Sequence, residues 1–139
     1  MHAVILAAGR GNRLAEFNPD GRPKCLLEFG GRSLLARQLD ILFSCGVRQV
    51  TLVVGYEADL IIDHVGKLAS RPEVAFVYNP AFIKGSVLSL LAAHEVMTSG
   101  ETVLVLDADV LFHPQIMQKV RYNKWFQICL QCWRLKCQA

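Results

Sequence analysis

An α/β fold, with a mostly parallel sheet and helices on both faces, is what this 139-residue sequence predicts. Short apolar runs alternate with segments whose apolar residues recur at helical spacing. Strand and helix in that order imply parallel strands joined by right-handed crossovers. The strand runs are apolar at successive rather than alternate positions, as strands buried on both faces are. Gly and Pro stand between the segments, where the chain must turn.

The first run, Ala3–Ala7, is the first strand. A polar stretch follows from Gly9 to Lys24, and Pro19, Gly21 and Pro23 within it block a long helix. Leu26–Phe29 then turns at Gly30-Gly31. Ser33 is placed to cap a helix carrying Leu34, Leu35, Leu39, Leu42 and Phe43 at helical spacing, which Gly46 ends. Gln49–Val54 is the second strand, rich in β-branched residues and stopped at Gly55. Ala58–Leu68 has a helical pattern, and Val74–Tyr78 is a third strand closed by Asn79-Pro80. Ser86–Met97 is expected as one strongly apolar helix, terminated at Ser99-Gly100. Thr102–Leu106 is a fourth strand that runs into Asp107-Ala108-Asp109. Ligands of such sheets bind beyond the carboxyl ends of the strands. That rule gathers Gly9–Arg13, Gly55-Tyr56, Asn79–Gly85 and Asp107–Asp109 along one edge.

Composition excludes several classes. With 53% apolar and 19% charged residues the chain is globular rather than disordered. No apolar run reaches the ~18–20 residues of a membrane span. The amino terminus lacks a basic region before its apolar run, which passes straight into a glycine loop; it reads as a buried strand rather than a signal peptide, and the protein as cytoplasmic. The net charge of +3 is concentrated late: Lys119, Arg121, Lys124, Arg134 and Lys136 follow Val110 with no acidic residue among them. Residues 1–109 carry −2 without them, so the main body has no nucleic-acid footprint. Five cysteines, an odd count, are expected as free thiols; Cys129-x-x-Cys132 lacks the second pair of a zinc site. His2, His64, His94 and His113 form no ligand-spaced set.

Three segments carry chemistry. In Leu6-Ala7-Ala8-Gly9-Arg10-Gly11-Asn12-Arg13, the glycines let backbone N–H groups approach a phosphate, while Arg10, Arg13 and Lys24 bring positive charge. This is not a P-loop, since no Gly-Lys-Ser/Thr tripeptide exists; nor is it a dinucleotide loop, since Leu14 stands where the third glycine belongs. Asp107 and Asp109 end an apolar strand expected to be buried, where carboxylates require a positive partner. Two apart on a strand, they would face one way and suit Mg²⁺, which takes one or two carboxylates together with substrate phosphates. The competing reading is a turn cap. In the third segment, Asn79 to Ser86, the Asn79 amide can read a base edge and Gly85 permits close backbone approach. Ser86 is as well suited to capping the following helix as to binding, and Lys84 reads as a solvated charge.

Together these segments resemble the nucleotidyltransferase superfamily that joins nucleoside triphosphates to sugar-1-phosphates or phosphocholine-like substrates. The signature Leu-x-x-Gly-x-Gly-x-Arg followed by Pro-Lys is matched by Leu6 to Arg13 and Pro23-Lys24. Asn79-Pro80, Gly85-Ser86, Ser89-Leu90 and Leu106-Asp107-Ala108-Asp109 look like the phosphocholine and aminoethylphosphonate cytidylyltransferase branch. The resemblance covers residues 2–117 and implies a Rossmann-like fold and Mg²⁺-dependent transfer. It implies that Leu6, Ala8, Gly9, Gly11, Arg13, Lys24, Asn79, Gly85 and Ser86 contact the nucleotide. Arg13 and Lys24 would be catalytic, Asn79 and Gly85 would face the base, and Asp109 would hold Mg²⁺ with Asp107 assisting. CTP is the favoured donor, and a phosphorylated small molecule the acceptor. An enzyme using UTP, dTTP or GTP on a sugar-1-phosphate is the first alternative, and an inactive nucleotide-binding fragment or partner subunit the second.

Members of the superfamily continue past this point, with more strands, an acceptor pocket and a second metal-binding carboxylate. The sheet is therefore expected to be incomplete at its C-terminus and to present an apolar edge. Residues 118–139 hold both tryptophans and three of five cysteines, and read as the product of a frameshift or a mis-set gene end. An uninterrupted frame in a longer homologous sequence ending the same way would sink that expectation.

Overall fold

The computed structural model describes residues 1–10 and 20–122, and forms one α/β unit. Its order is β1 (His2–Leu6), a 3-10 turn at Lys24–Leu26, β2 (Glu28–Phe29), β3 (Arg32–Ser33) and α1 (Leu34–Ser44). Then come β4 (Gln49–Val54), α2 (Ala58–Gly66), β5 (Glu73–Tyr78), a 3-10 turn at Phe82–Lys84, α3 (Ser86–Ala92) and α4 (His94–Met97). β6 (Val103–Asp107) and α5 (Pro114–Tyr122) follow. β2 and β3 form a small hairpin around Gly30-Gly31, both with positive φ.

The main sheet is parallel throughout, in the order β5-β4-β1-β6. This is the Rossmann-like α/β arrangement. From β1 the chain builds outward through β4 and β5, then returns to the other side of β1 for β6. The reversal leaves a crevice between the carboxyl ends of β1 and β6, the topological switch point where such sheets bind ligands.

Alternating side chains divide the core between two faces. Ala3, Ile5, Val50, Leu52 and Val54 pack with Leu35, Leu39 and Leu42 of α1 and Ile61 and Val65 of α2. Val4, Ala8, Val53 and Val103 pack on the other face with Ala93, Val96 and Met97. Helices thus cover both faces, which explains the unbroken apolar runs of β1 and β4. Ser33 caps α1 as its side chain accepts from the Ala36 N–H at 3.1 Å, a contact worth about 1 kcal/mol.

Two expectations are corrected. The single helix over Ser86–Met97 is two, because Ala93 leaves helical geometry at φ −92°, ψ 18° and turns onto the sheet with Val96 and Met97. Its apolar face is not all core, since Val87 and Leu91 are 70% and 56% exposed. β6 is an edge strand among the described residues, and only Val103 of it is buried. Among the described residues no helix is long and apolar enough to cross a membrane.

Candidate functional site

A cavity of about 390 Å³ opens at the carboxyl ends of β1 and β6, at the switch point. β1 delivers Leu6, Ala7, Ala8 and Gly9 to one wall; β6 and the turn after it deliver Asp107, Ala108 and Asp109. Register fixes this junction: Leu6 pairs with Asp107, and the Ala108 N–H donates to the Leu6 carbonyl at 3.1 Å. The turn at Lys24–Leu26 adds Lys24 and Cys25, and the start of α3 adds Gly85, Ser86 and Ser89, with Phe82 beside them.

The walls are chemically unequal. Lys24, Asp107 and Asp109 form a charged end, with Lys24 Nζ 3.7 Å from Asp109 Oδ2. Both partners are partly in solvent, so the pair itself adds ~0–1 kcal/mol. Phe82, Gly85, Ser86 and Ser89 give an uncharged part of the lining, on the side of the segment that follows β5, across β4 and β1 from β6. A Cβ built on Gly9 or Gly85 would meet no described atom, so the space beside both is open to a ligand. Gly85 also has φ 119° and ψ 166°, a conformation essentially restricted to glycine. Cys25 is buried in the wall, and burial pushes its thiol up to about 12.

Of the expected site residues, Leu6, Ala8, Gly9, Lys24, Gly85, Ser86, Asp107 and Asp109 all line this cavity. Gly11 and Arg13 lie outside the described residues, as does the Cys129-x-x-Cys132 pair. Asn79, expected to face the base, is not among the residues that line the cavity. It is 3% exposed; its Oδ1 accepts from the Ala81 N–H at 2.9 Å and its Nδ2 donates to Ser89 Oγ at 3.0 Å. Ser86 is not a cap, because α3 begins at Ser86 with Gly85 in the cap position and no side-chain cap bond. The acidic pair is also placed differently. Asp107 closes β6 but Asp109 sits in the turn, and both are exposed, so neither bears the burial cost expected of a core strand.

Gln38 is the residue that the sequence reading missed. It is fully buried in α1, and its Nε2 donates to the carbonyls of Asp107 at 2.9 Å and Val110 at 2.5 Å. One amide therefore holds both ends of the acidic turn. Its Oε1 has no partner among the described residues. The available signal was a polar residue on the apolar stripe of Leu35, Leu39 and Leu42. Tyr56, expected at this sheet edge, has no role assigned by the sequence, and the structure gives it one. Its N–H donates to the Ala8 carbonyl at 3.1 Å, its hydroxyl donates to the Gly21 carbonyl at 3.0 Å, and Arg10 lies over its ring, 5.3 Å from the centroid. It thereby clasps described residues on both sides of the loop after β1.

Residues 3–123 match the family described as the MobA-like NTP transferase domain. The chain is 33% identical over 121 residues to a CMP-5'-(3-aminopropyl)phosphonate synthase of Streptomyces rubellomurinus, covering 86% of this chain and 19% of that protein. It is 28% identical over 132 residues to a 2-aminoethylphosphonate cytidylyltransferase of Lancefieldella rimae, covering 90% of this chain and 52% of that one. The inositol-1-phosphate CTP transferase of T. maritima superposes with a TM-score of 0.70 at 28% identity, over 86% of this chain and 47% of that structure. The chain thus spans about half the length of these relatives, or less.

Proposed function

We propose that this chain, which belongs to the MobA-like NTP transferase domain family, is the nucleotide-handling part of a cytidylyltransferase. It binds CTP and delivers CMP to a phosphorylated or phosphonylated small molecule, releasing pyrophosphate. The observation that carries this reading is the cavity at the switch point, charged at one end and uncharged at the other. The relatives named for CTP or CMP chemistry support the donor and the acceptor class.

The triphosphate takes the charged end and the nucleoside the uncharged one. An acceptor phosphate oxygen attacks the α-phosphorus. The bond from that phosphorus to the bridging oxygen breaks, and pyrophosphate leaves with the electron pair. No side chain has to remove a proton, because a phosphate monoester has its second pKa near ~6 and arrives ionised. The chain's contribution is positioning and charge neutralisation. Lys24 turns from Asp109 to the phosphate oxygens, and Arg13 supplies a second cation. The backbone at Ala8 and Gly9 approaches the nucleotide closely.

Asp107 and Asp109 fit a magnesium ion: two exposed carboxylates border a cavity suited to phosphates, and Mg²⁺ takes one or two carboxylates plus substrate oxygens and water. When bound, the ion neutralises charge on the phosphate oxygens.

Pyrophosphate release tests the reading, with CTP, UTP, dTTP and GTP each paired with phosphocholine, 2-aminoethylphosphonate and glucose-1-phosphate. Release is expected with CTP and an amine-bearing acceptor, and is expected to be lost in Lys24→Ala. Release confined to UTP, dTTP or GTP with the sugar phosphate replaces the assignment with the sugar-nucleotide one. Binding of CTP without release under any pairing favours a nucleotide-binding unit that does not turn over.

A further inference from the structure

The uncharged end of the cavity holds a polar group whose hydrogen-bond role is determined by its neighbours. Asn79 Oδ1 accepts from the Ala81 N–H at 2.9 Å, which fixes the orientation of the amide. Its Nδ2 is therefore the atom that meets Ser89 Oγ at 3.0 Å. An amide nitrogen only donates, so Ser89 Oγ is the acceptor in that contact. The hydroxyl proton of Ser89 remains. Helical serines often return it to a carbonyl one turn back, but among the described residues Ser89 makes no such bond. Ser89 is 4% exposed and lines the cavity. The unused donor of a nearly buried hydroxyl thus has the cavity as its remaining outlet.

Position decides what the donor meets. Lys24 pairs with Asp109 on the β6 side of the cavity, beside Asp107, where the proposed reading puts the phosphates, while Ser89 is bonded to Asn79 on the side of β5, across β4 and β1. We propose that Ser89 is a specificity-determining residue whose hydroxyl, oriented by Asn79, donates to the N3 ring nitrogen of cytosine. N3 of cytosine is an acceptor; in uracil the same position carries N–H, which Ser89 Oγ could meet only with its second lone pair, leaving its own proton unpaired in a nearly buried site. The inference rests on reading the cavity as the CTP site and assigns the base selectivity of that site to one hydroxyl. Asn79 is the positioning residue behind it.

Calorimetric titration of CTP and UTP into the full chain tests it, with the wild type, Ser89→Ala and Asn79→Asp compared. The wild type is expected to favour CTP. Ser89→Ala is expected to weaken CTP by about tenfold, the loss of one hydrogen bond, and to leave UTP unchanged or tighter. In Asn79→Asp the carboxylate accepts the Ser89 proton and turns an oxygen lone pair to the cavity, so preference moves from CTP towards UTP. Equal weakening of CTP and UTP in Ser89→Ala, or no effect on either, overturns the assignment while the nucleotide site stands. Absence of binding for every nucleotide in the wild type overturns the site and the assignment together. Ser89→Ala carries the test even if Asn79→Asp fails to fold, because alanine suits an α-helix.

Discussion

Replacing Gln38 with leucine separates a positioning role from a structural one. The substitution removes two donated hydrogen bonds, to the Asp107 and Val110 carbonyls. At about 1 kcal/mol net each, that is a loss of about 2 kcal/mol. It also removes Gln38 Oε1, a buried oxygen without a partner, whose burial costs roughly 1–3 kcal/mol. Leucine is close in size and completes the apolar stripe of Leu35, Leu39 and Leu42. The effects nearly cancel, so urea denaturation is expected to shift stability by no more than about 1 kcal/mol. The turn bearing Asp107 and Asp109 nevertheless loses both anchors. Misplacement of a group by about 1 Å can cost on the order of a hundredfold in rate, so pyrophosphate release is expected to fall by at least tenfold. Mn²⁺ affinity in the presence of CTP, read by electron paramagnetic resonance, is expected to weaken in parallel. A variant with wild-type Mn²⁺ affinity and turnover would refute the reasoning, as would a stability loss large enough to account for the activity change.

Other expectations follow from single contacts. A Cβ on Gly55 would lie 2.7 Å from Phe82 Cβ, so Gly55→Ala should cost about 1–3 kcal/mol in thermal denaturation; Phe82→Gly in the same chain, which removes that Cβ with the ring, should take away most of that penalty, and additive losses would contradict the clash. Cys25, held neutral by burial with its thiol pushed up to about 12, should resist iodoacetamide at pH 8 in the native chain and react once unfolded; peptide mapping that finds it labelled natively would refute this. Burial holds the His64 imidazole below its ordinary range, with Glu28 opposing and Lys67 assisting. The unfolded chain then binds the proton more readily, so this contribution to stability is fully present above pH ~6.5 and declines as pH falls through the lowered value. His64→Gln should flatten that part of the stability profile, and an unchanged slope would dismiss the residue as its source.

Much of this arrangement was readable from local signals. Ser33, the spacing of Leu35, Leu39 and Leu42, and Gly46 define α1 because capping and periodicity act within one helix. The apolar runs of β1 and β4 reported two-sided burial, and Lys24, Gly9 and Asp107 reached the same cavity because strand ends converge on one sheet edge. What escaped depended on contacts distant in sequence. Gln38 meets Asp107 and Val110 across some seventy residues, so its importance is invisible without the pairing of β1 with β6. Asn79 is expected to face the base because its amide is versatile; its bonds to the Ala81 N–H and to Ser89 Oγ become visible only once those residues are placed in space. The break at Ala93 has no glycine or proline to announce it, since it follows from packing against Val4, Val53 and Val103.

The central claim is that a nucleoside triphosphate occupies the cavity between the ends of β1 and β6. Amide chemical-shift mapping on titration of the chain with CTP and Mg²⁺ tests it without reference to turnover. The largest shifts are predicted at Ala7, Ala8, Gly9, Lys24, Gly85, Ser89 and Asp107 to Asp109. Shifts centred instead on the groove between α2 and β5, at Glu57, Asp59, Phe76 and Tyr78, or no shifts at millimolar CTP, would contradict the account.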